Sequence, residues 1–183
     1  MKNKLNLQFG IIALLILLAA LSRLLPHPPN FTPIGGMALF GAAYFSKRYL
    51  AILIPLVALW VSDLILNNVL YAAYFDGFSW IGIPVVYLAI IVIALMGTKV
   101  LQKIKITNLL IASLLASTLF FLITNLGSWW IDPIYPKDAA GVLMAYTAGL
   151  PFFLNTLAGD LFFTGVLFGS YELIKLRNPT FAK

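Results

Sequence analysis

Residues 99–105 read Lys-Val-Leu-Gln-Lys-Ile-Lys, three cations in seven positions between two apolar runs, 81–97 and 107–130. Cationic side chains are held on the cytoplasmic side when helices enter a membrane, so this stretch marks an inner loop. Working outward, six apolar stretches that each cross once put ten of the twelve Lys and Arg residues on that same face. They are Lys2, Lys4, Lys47, Arg48, Lys99, Lys103, Lys105, Lys175, Arg177 and Lys183, which leaves only Arg23 and Lys137 for the other. Both termini are therefore expected inside, with the loops holding Asp76, Asp132 and Asp138 outside. The expected fold is all-α, a polytopic six-helix transmembrane bundle with a short second helix and cytoplasmic termini. Residues 1–183 form one integral membrane domain in the inner (plasma) membrane.

Composition supports that class. The chain is 62% hydrophobic and 10% charged, and water could not solvate so much apolar surface on 183 residues. A net charge of +6 invites a nucleic-acid reading, but the cations are spread over loops and tails that a bilayer brings to anionic headgroups. Lipid, not nucleic acid, is the expected partner. The chain has no Cys, which excludes disulfides, thiolate nucleophiles and thiolate metal sites. The basic start and apolar core of residues 1–21 also fit a signal peptide. A retained helix is expected, because Ala19-Ala20-Leu21 leads into more hydrophobic sequence rather than a polar mature start.

A bilayer core needs about 20 apolar residues in helix. The first span is expected over 9–25, after which Pro26, Pro28, Pro29 and Pro33 break the helix and hold Asn30, Phe31 and Thr32 in an extended stretch. Residues 34–45, opening with Gly35-Gly36, are too short to cross upright and are expected to form a tilted or partly re-entrant helix sheltered by protein. Spans follow at 49–66, 81–97, 107–130 and 150–173, with long outer loops at 67–80 and 131–148.

Polar groups within those spans carry the functional expectation, because charges in hydrocarbon normally face the bundle interior with partners or tasks. At about 1.5 Å per residue, Arg23, Asp63 and Asn125 fall in the outer third, and Asp160 lies near mid-membrane with Asn155 and Thr156 one turn above it. The inner halves of the same helices are almost wholly apolar. The one-sided distribution points to an outward-facing polar pocket. Ion pairing of Arg23 with Asp63 or Asp160, and interhelical hydrogen bonds from Asn125 and Asn155, are the structural alternative. Trp60, Tyr87 and Trp129 belong to the same layer. Tyr71, Tyr74, Trp80, Trp130, Tyr135 and Tyr146 add an aromatic rim, beyond what interfacial anchoring requires.

The sole histidine, His27, stands among prolines, where a polar cap is the commoner role. No Ser-His pairing, HExxH, GxxxxGK[ST] or Asp-rich repeat is present, so no catalytic residue, metal site or cofactor is expected and the chain is read as a non-enzyme. Small residues at four-residue spacing, Ala38/Ala42, Ala112/Ala116 and Gly165/Gly169, allow close helix approach within the bundle or against a partner.

On its plan the chain resembles the substrate-binding S components of energy-coupling-factor vitamin transporters. The likeness runs over nearly the whole length: a first helix ending in Arg23, the Pro26 to Pro33 loop, a short helix with Gly35-Gly36, Leu59-Trp60-Val61-Ser62-Asp63 on the third helix, and Phe120 to Gly127 on the fifth. The resemblance implies a high-affinity pocket gated by the loops after helices one, three and five. It also implies docking on a transmembrane coupling subunit driven by two cytoplasmic ATPases. The first helix departs from that family, holding Gly10, Ala13, Ala19 and Ala20 without an Ala-x-x-x-Ala pair. A solitary importer or sensor therefore stays open. The chain also looks like an uncharacterised group of small bacterial membrane proteins, which implies no substrate.

The expectation is thus a membrane subunit that captures a small, vitamin-like nutrient, with Arg23, Asn30, Trp60, Asp63, Tyr87, Asn125, Trp129 and Asn155 as substrate-binding residues. Arg23 would meet a carboxylate or phosphate, Asp63 and Asn125 would bond polar edges, and the aromatics would stack. A structural or assembly protein without a ligand is the alternative. A lipid-modifying enzyme using His27 and Asp63 is a third reading.

Overall fold

The apolar runs become helices because a buried or lipid-facing backbone must satisfy its hydrogen bonds within the segment. In a computed structural model that describes residues 2–178, these helices are α1 (Lys2–Leu21), α2 (Ile34–Tyr44), α3 (Arg48–Ile65), α4 (Pro84–Val100), α5 (Ile106–Ile131) and α6 (Ala139–Arg177). No strand occurs among the described residues. Lys183, counted above with the inner cations, lies outside them. Four stretches are long and apolar enough to cross a membrane: Leu7–Leu24, Arg48–Leu70, Ile106–Ile131 and Ala139–Arg177. The helices α2 and α4 are apolar but shorter.

The short helix is the centre of the molecule. Every residue of α2 from Ile34 to Ala42 is buried, and α2 touches all five other helices. Its 11 residues rise only about 16 Å, roughly half a bilayer core. The proline-rich stretch before it lies along the side of α6. Asn155 Nδ2 donates to the Pro29 carbonyl at 3.0 Å, and Gly159 lies against the backbone of Phe31 and Thr32. Phe31 packs beside Phe162 and Phe163. Past that point α2 takes over, with Gly36 on Phe163 and Thr164, Phe40 on Phe168 and the Tyr44 hydroxyl donating to Glu172 at 2.8 Å. The contacts advance in step along both segments, so a proline-rich stretch with a turn at Pro28–Phe31 and the half-length helix together follow α6.

Prolines suit the stretch beside α6, since a residue without an N–H leaves one donor fewer to satisfy. The junction is solved by Asp160. Pro33 precedes α2 and offers no side-chain cap; instead the Asp160 carboxylate, reaching across from α6, accepts the backbone N–H groups of Gly35 and Gly36. Ser117 of α5 donates to the same carboxylate at 2.6 Å. A Cβ on Gly35 would fall on that carboxyl group, so glycine is required for the approach. Helix α3 contains Pro55, which cannot bond the Ala51 carbonyl four residues earlier. That oxygen is packed against Gly41 of α2.

One sequence expectation needs correction. The outer segment expected to be loop over 131–148 is helical from Ala139 onward, because Asp138 caps the helix by accepting the Gly141 N–H at 2.9 Å. Helix α6 then continues through Pro151 for 39 residues. Hydropathy located only the apolar part of this helix. Of the two ion pairs considered for Arg23, the one with Asp63 forms, while Asp160 is enclosed by α2, α5 and α6. The loop after α3 is a π turn, Leu66–Leu70, followed by a short 3-10 turn. Asn68 ties it down by bonding Ser79 at both the carbonyl and the amide, 2.8 Å each.

Candidate binding site

Two of the cavities at the pole of the bundle farthest from the termini carry several polar side chains, and α4 separates them. The smaller, about 310 Å³, is lined by Arg23, Asp63, Asn67, Phe75, Ile81, Gly82, Ile83 and Val86. The larger, about 330 Å³, lies between α4, α5 and α6 under the proline-rich loop. Ile83 and Val86 belong to both linings, so two aliphatic side chains form the partition.

The smaller cavity is built on an ion pair. Arg23 emerges from the 3-10 turn that ends the first helix, and its Nη1 meets Asp63 Oδ1 at 2.6 Å. The same nitrogen donates to Ser62 Oγ at 2.6 Å. The other carboxylate oxygen accepts the Tyr87 hydroxyl at 2.7 Å. Three helices are thereby joined through Asp63, whose side chain is only 8% exposed against 14% for Arg23. Gly82 touches the carboxylate, and any larger residue there would displace it. The charges of this network are met from within the protein.

The larger cavity has a different chemistry. Its wall carries Asn30, Thr124, Asn125, Ser128, Tyr135 and Thr156 among the rings of Phe120, Phe121, Phe152 and Phe153, with Ala145, Ala148 and Gly149 leaving room on α6. Asn30 adopts φ +62°, a left-handed turn conformation that Asn tolerates better than most residues. Asn125 Nδ2 donates to Phe121 of its own helix at 2.7 Å, and its side chain rests on Gly149.

The eight expected site residues thus divide. Arg23, Asp63 and Tyr87 share one network, while Asn30 and Asn125 line the neighbouring cavity. The other three serve the loops. Trp60 is exposed and donates its indole N–H to the Trp80 carbonyl at 2.9 Å. Trp129 donates to Pro136 at 2.8 Å beside an apolar groove of α4 and α5, and Asn155 holds Pro29. Ser128 of the larger cavity was not foreseen. Ser62 and Ser117 were not foreseen as partners of the buried carboxylates either, although the Ser113/Ser117 spacing puts two hydroxyls on one face of α5. His27 is exposed, and Asp63 is engaged by Arg23 and Tyr87 rather than by it. Among the described residues no three acidic or His side chains gather as metal ligands.

A model described as a family of unknown function (DUF6580) matches residues 3–181. No curated protein and no solved structure matches the chain.

Proposed function

The chain belongs to that family of unknown function, and from this premise we propose that it is a membrane substrate-binding subunit that takes up a small nutrient through its outer pole. The supporting observation is the larger cavity, a concave site with aromatic walls and a few convergent polar groups, the usual form of a small-molecule pocket. The charge distribution supports both termini and the 99–105 loop lying in the cytoplasm, with the cavity facing out. The sequence holds no phosphate-cradling motif, so transport draws its energy from partners, in the manner of a transmembrane coupling subunit with cytoplasmic ATPases. The bilayer is that of the inner membrane.

Because the chain has no native Cys, single cysteines report its orientation directly. An impermeant maleimide added to intact cells is expected to label Asp76→Cys and to spare Lys103→Cys; the reverse pattern inverts the topology. A small molecule is expected to copurify with the detergent-extracted protein and to be released on denaturation. It should be absent from Ala148→Phe, where a ring on an exposed wall position fills the cavity.

One observation favours a purely structural role. Among the described residues every buried side-chain nitrogen and oxygen has a hydrogen-bond partner. A scaffold satisfied in this way would yield no copurifying molecule and no thermal shift with a vitamin panel.

A further inference from the structure

Resting on the reading of the larger cavity as a binding site, we infer that its ligand is an uncharged, ring-containing molecule bearing both hydrogen-bond donors and acceptors, of the aromatic amide class. No Lys, Arg, Asp, Glu or His lines the cavity. A charged guest would give up its hydration and find no opposite charge, which strongly disfavours its entry. The adjoining cavity holds the only charged lining residues of the pair. There the Arg23 guanidinium and the Asp63 carboxylate neutralise each other at 2.6 Å, behind the Ile83 and Val86 partition. A carboxylate or phosphate on the guest would find the Arg23 charge already balanced by Asp63 and set apart from the larger cavity by the partition.

What the wall does offer is a balanced set of neutral hydrogen-bonding groups. The hydroxyls of Thr124 and Thr156 donate to carbonyls of their own helices, at 2.7 and 3.1 Å, so at the cavity wall they have only acceptor capacity left. Asn125 spends one N–H on Phe121, so its amide still has a donor and an acceptor for a guest. Ser128 and Tyr135 contribute hydroxyls that donate or accept. Four phenyl rings supply faces and edges for a planar body. The volume of about 330 Å³ is at the small end for ligand pockets, suited to one or two rings.

Benzamide, benzoate and benzamidine have nearly one shape and three charges, and they separate the possibilities. Saturation-transfer NMR titrations of the full-length protein in nanodiscs are expected to show benzamide binding at least tenfold tighter than either charged probe. Ser128→Ala and Asn125→Leu should each weaken benzamide several-fold, and Ala148→Phe should abolish its signal, with helical content unchanged by circular dichroism. Benzoate or benzamidine binding as tightly as benzamide, with sensitivity to Ala148→Phe, overturns the uncharged class and leaves the cavity as a site. If no probe binds wild type better than Ala148→Phe, the binding reading of the cavity fails with it. Benzamide binding that neither polar variant alters by more than twofold also overturns the inference, because contact with the wall's polar groups is what it asserts.

Discussion

Alanine at position 160 is expected to be the most damaging single substitution in the chain. It removes the acceptor shared by the Gly35 and Gly36 N–H groups and the Ser117 hydroxyl, all inside the bundle. An orphaned buried donor costs about 1–3 kcal/mol; Ser117 keeps the Ser113 carbonyl at 3.0 Å, so the loss falls on the Gly35 and Gly36 N–H groups and totals about 2–5 kcal/mol, enough to unfold a marginal protein. Asp160→Asn keeps an acceptor oxygen and should retain much of the stability. Thermal melting in detergent, followed by circular dichroism, ranks the variants as wild type, then Asn, then Ala. Equal melting of Ala and wild type would mean that α2 does not depend on a cap supplied by α6. Gly35→Ala approaches the same defect from the other side, since the added methyl displaces the carboxylate.

The second large effect concerns the Arg23 and Asp63 pair. Both side chains are mostly buried, and removing one partner leaves an uncompensated charge, a loss of about 3–5 kcal/mol. Arg23→Ala and Asp63→Ala should therefore each destabilise strongly. The double variant Arg23→Leu with Asp63→Leu should recover a large part of the loss, because well-packed apolar residues commonly replace a buried pair at little cost. Tyr87→Phe, which deletes one hydrogen bond, should cost about 1 kcal/mol. A double variant no more stable than the sum of the single losses would show that the pair contributes nothing by being a pair.

The helical class and most helix boundaries were legible because long apolar runs bounded by prolines and charges mark the helices. Residues 34–45 were recognised as too short to cross, and α2 ends within one residue of that estimate. What sequence could not supply was the register along α6, which places Pro29 through Pro33 against Asn155, Gly159 and the rings of Phe162 and Phe163. The start of α6 was missed for a local reason: residues 139–149 are not a continuous apolar run, and the capping aspartate at 138 was read only as a loop charge. The site residues were chosen by depth and polarity, which selected the Arg23, Asp63 and Tyr87 group and both cavity asparagines. Depth says nothing about which way a side chain faces. Trp60, Trp129 and Asn155 share the layer yet attach to loop backbone.

The enclosure of α2 has a consequence for how the protein is made. Eleven apolar residues behind a run of prolines do not make a segment that partitions into lipid unaided. The carboxylate and the helix that shelter this segment leave the ribosome more than a hundred residues later, since Asp160 follows Gly35 by 125 positions. The N-terminal end of α2 therefore gains its carboxylate partner only after the last helix has been made.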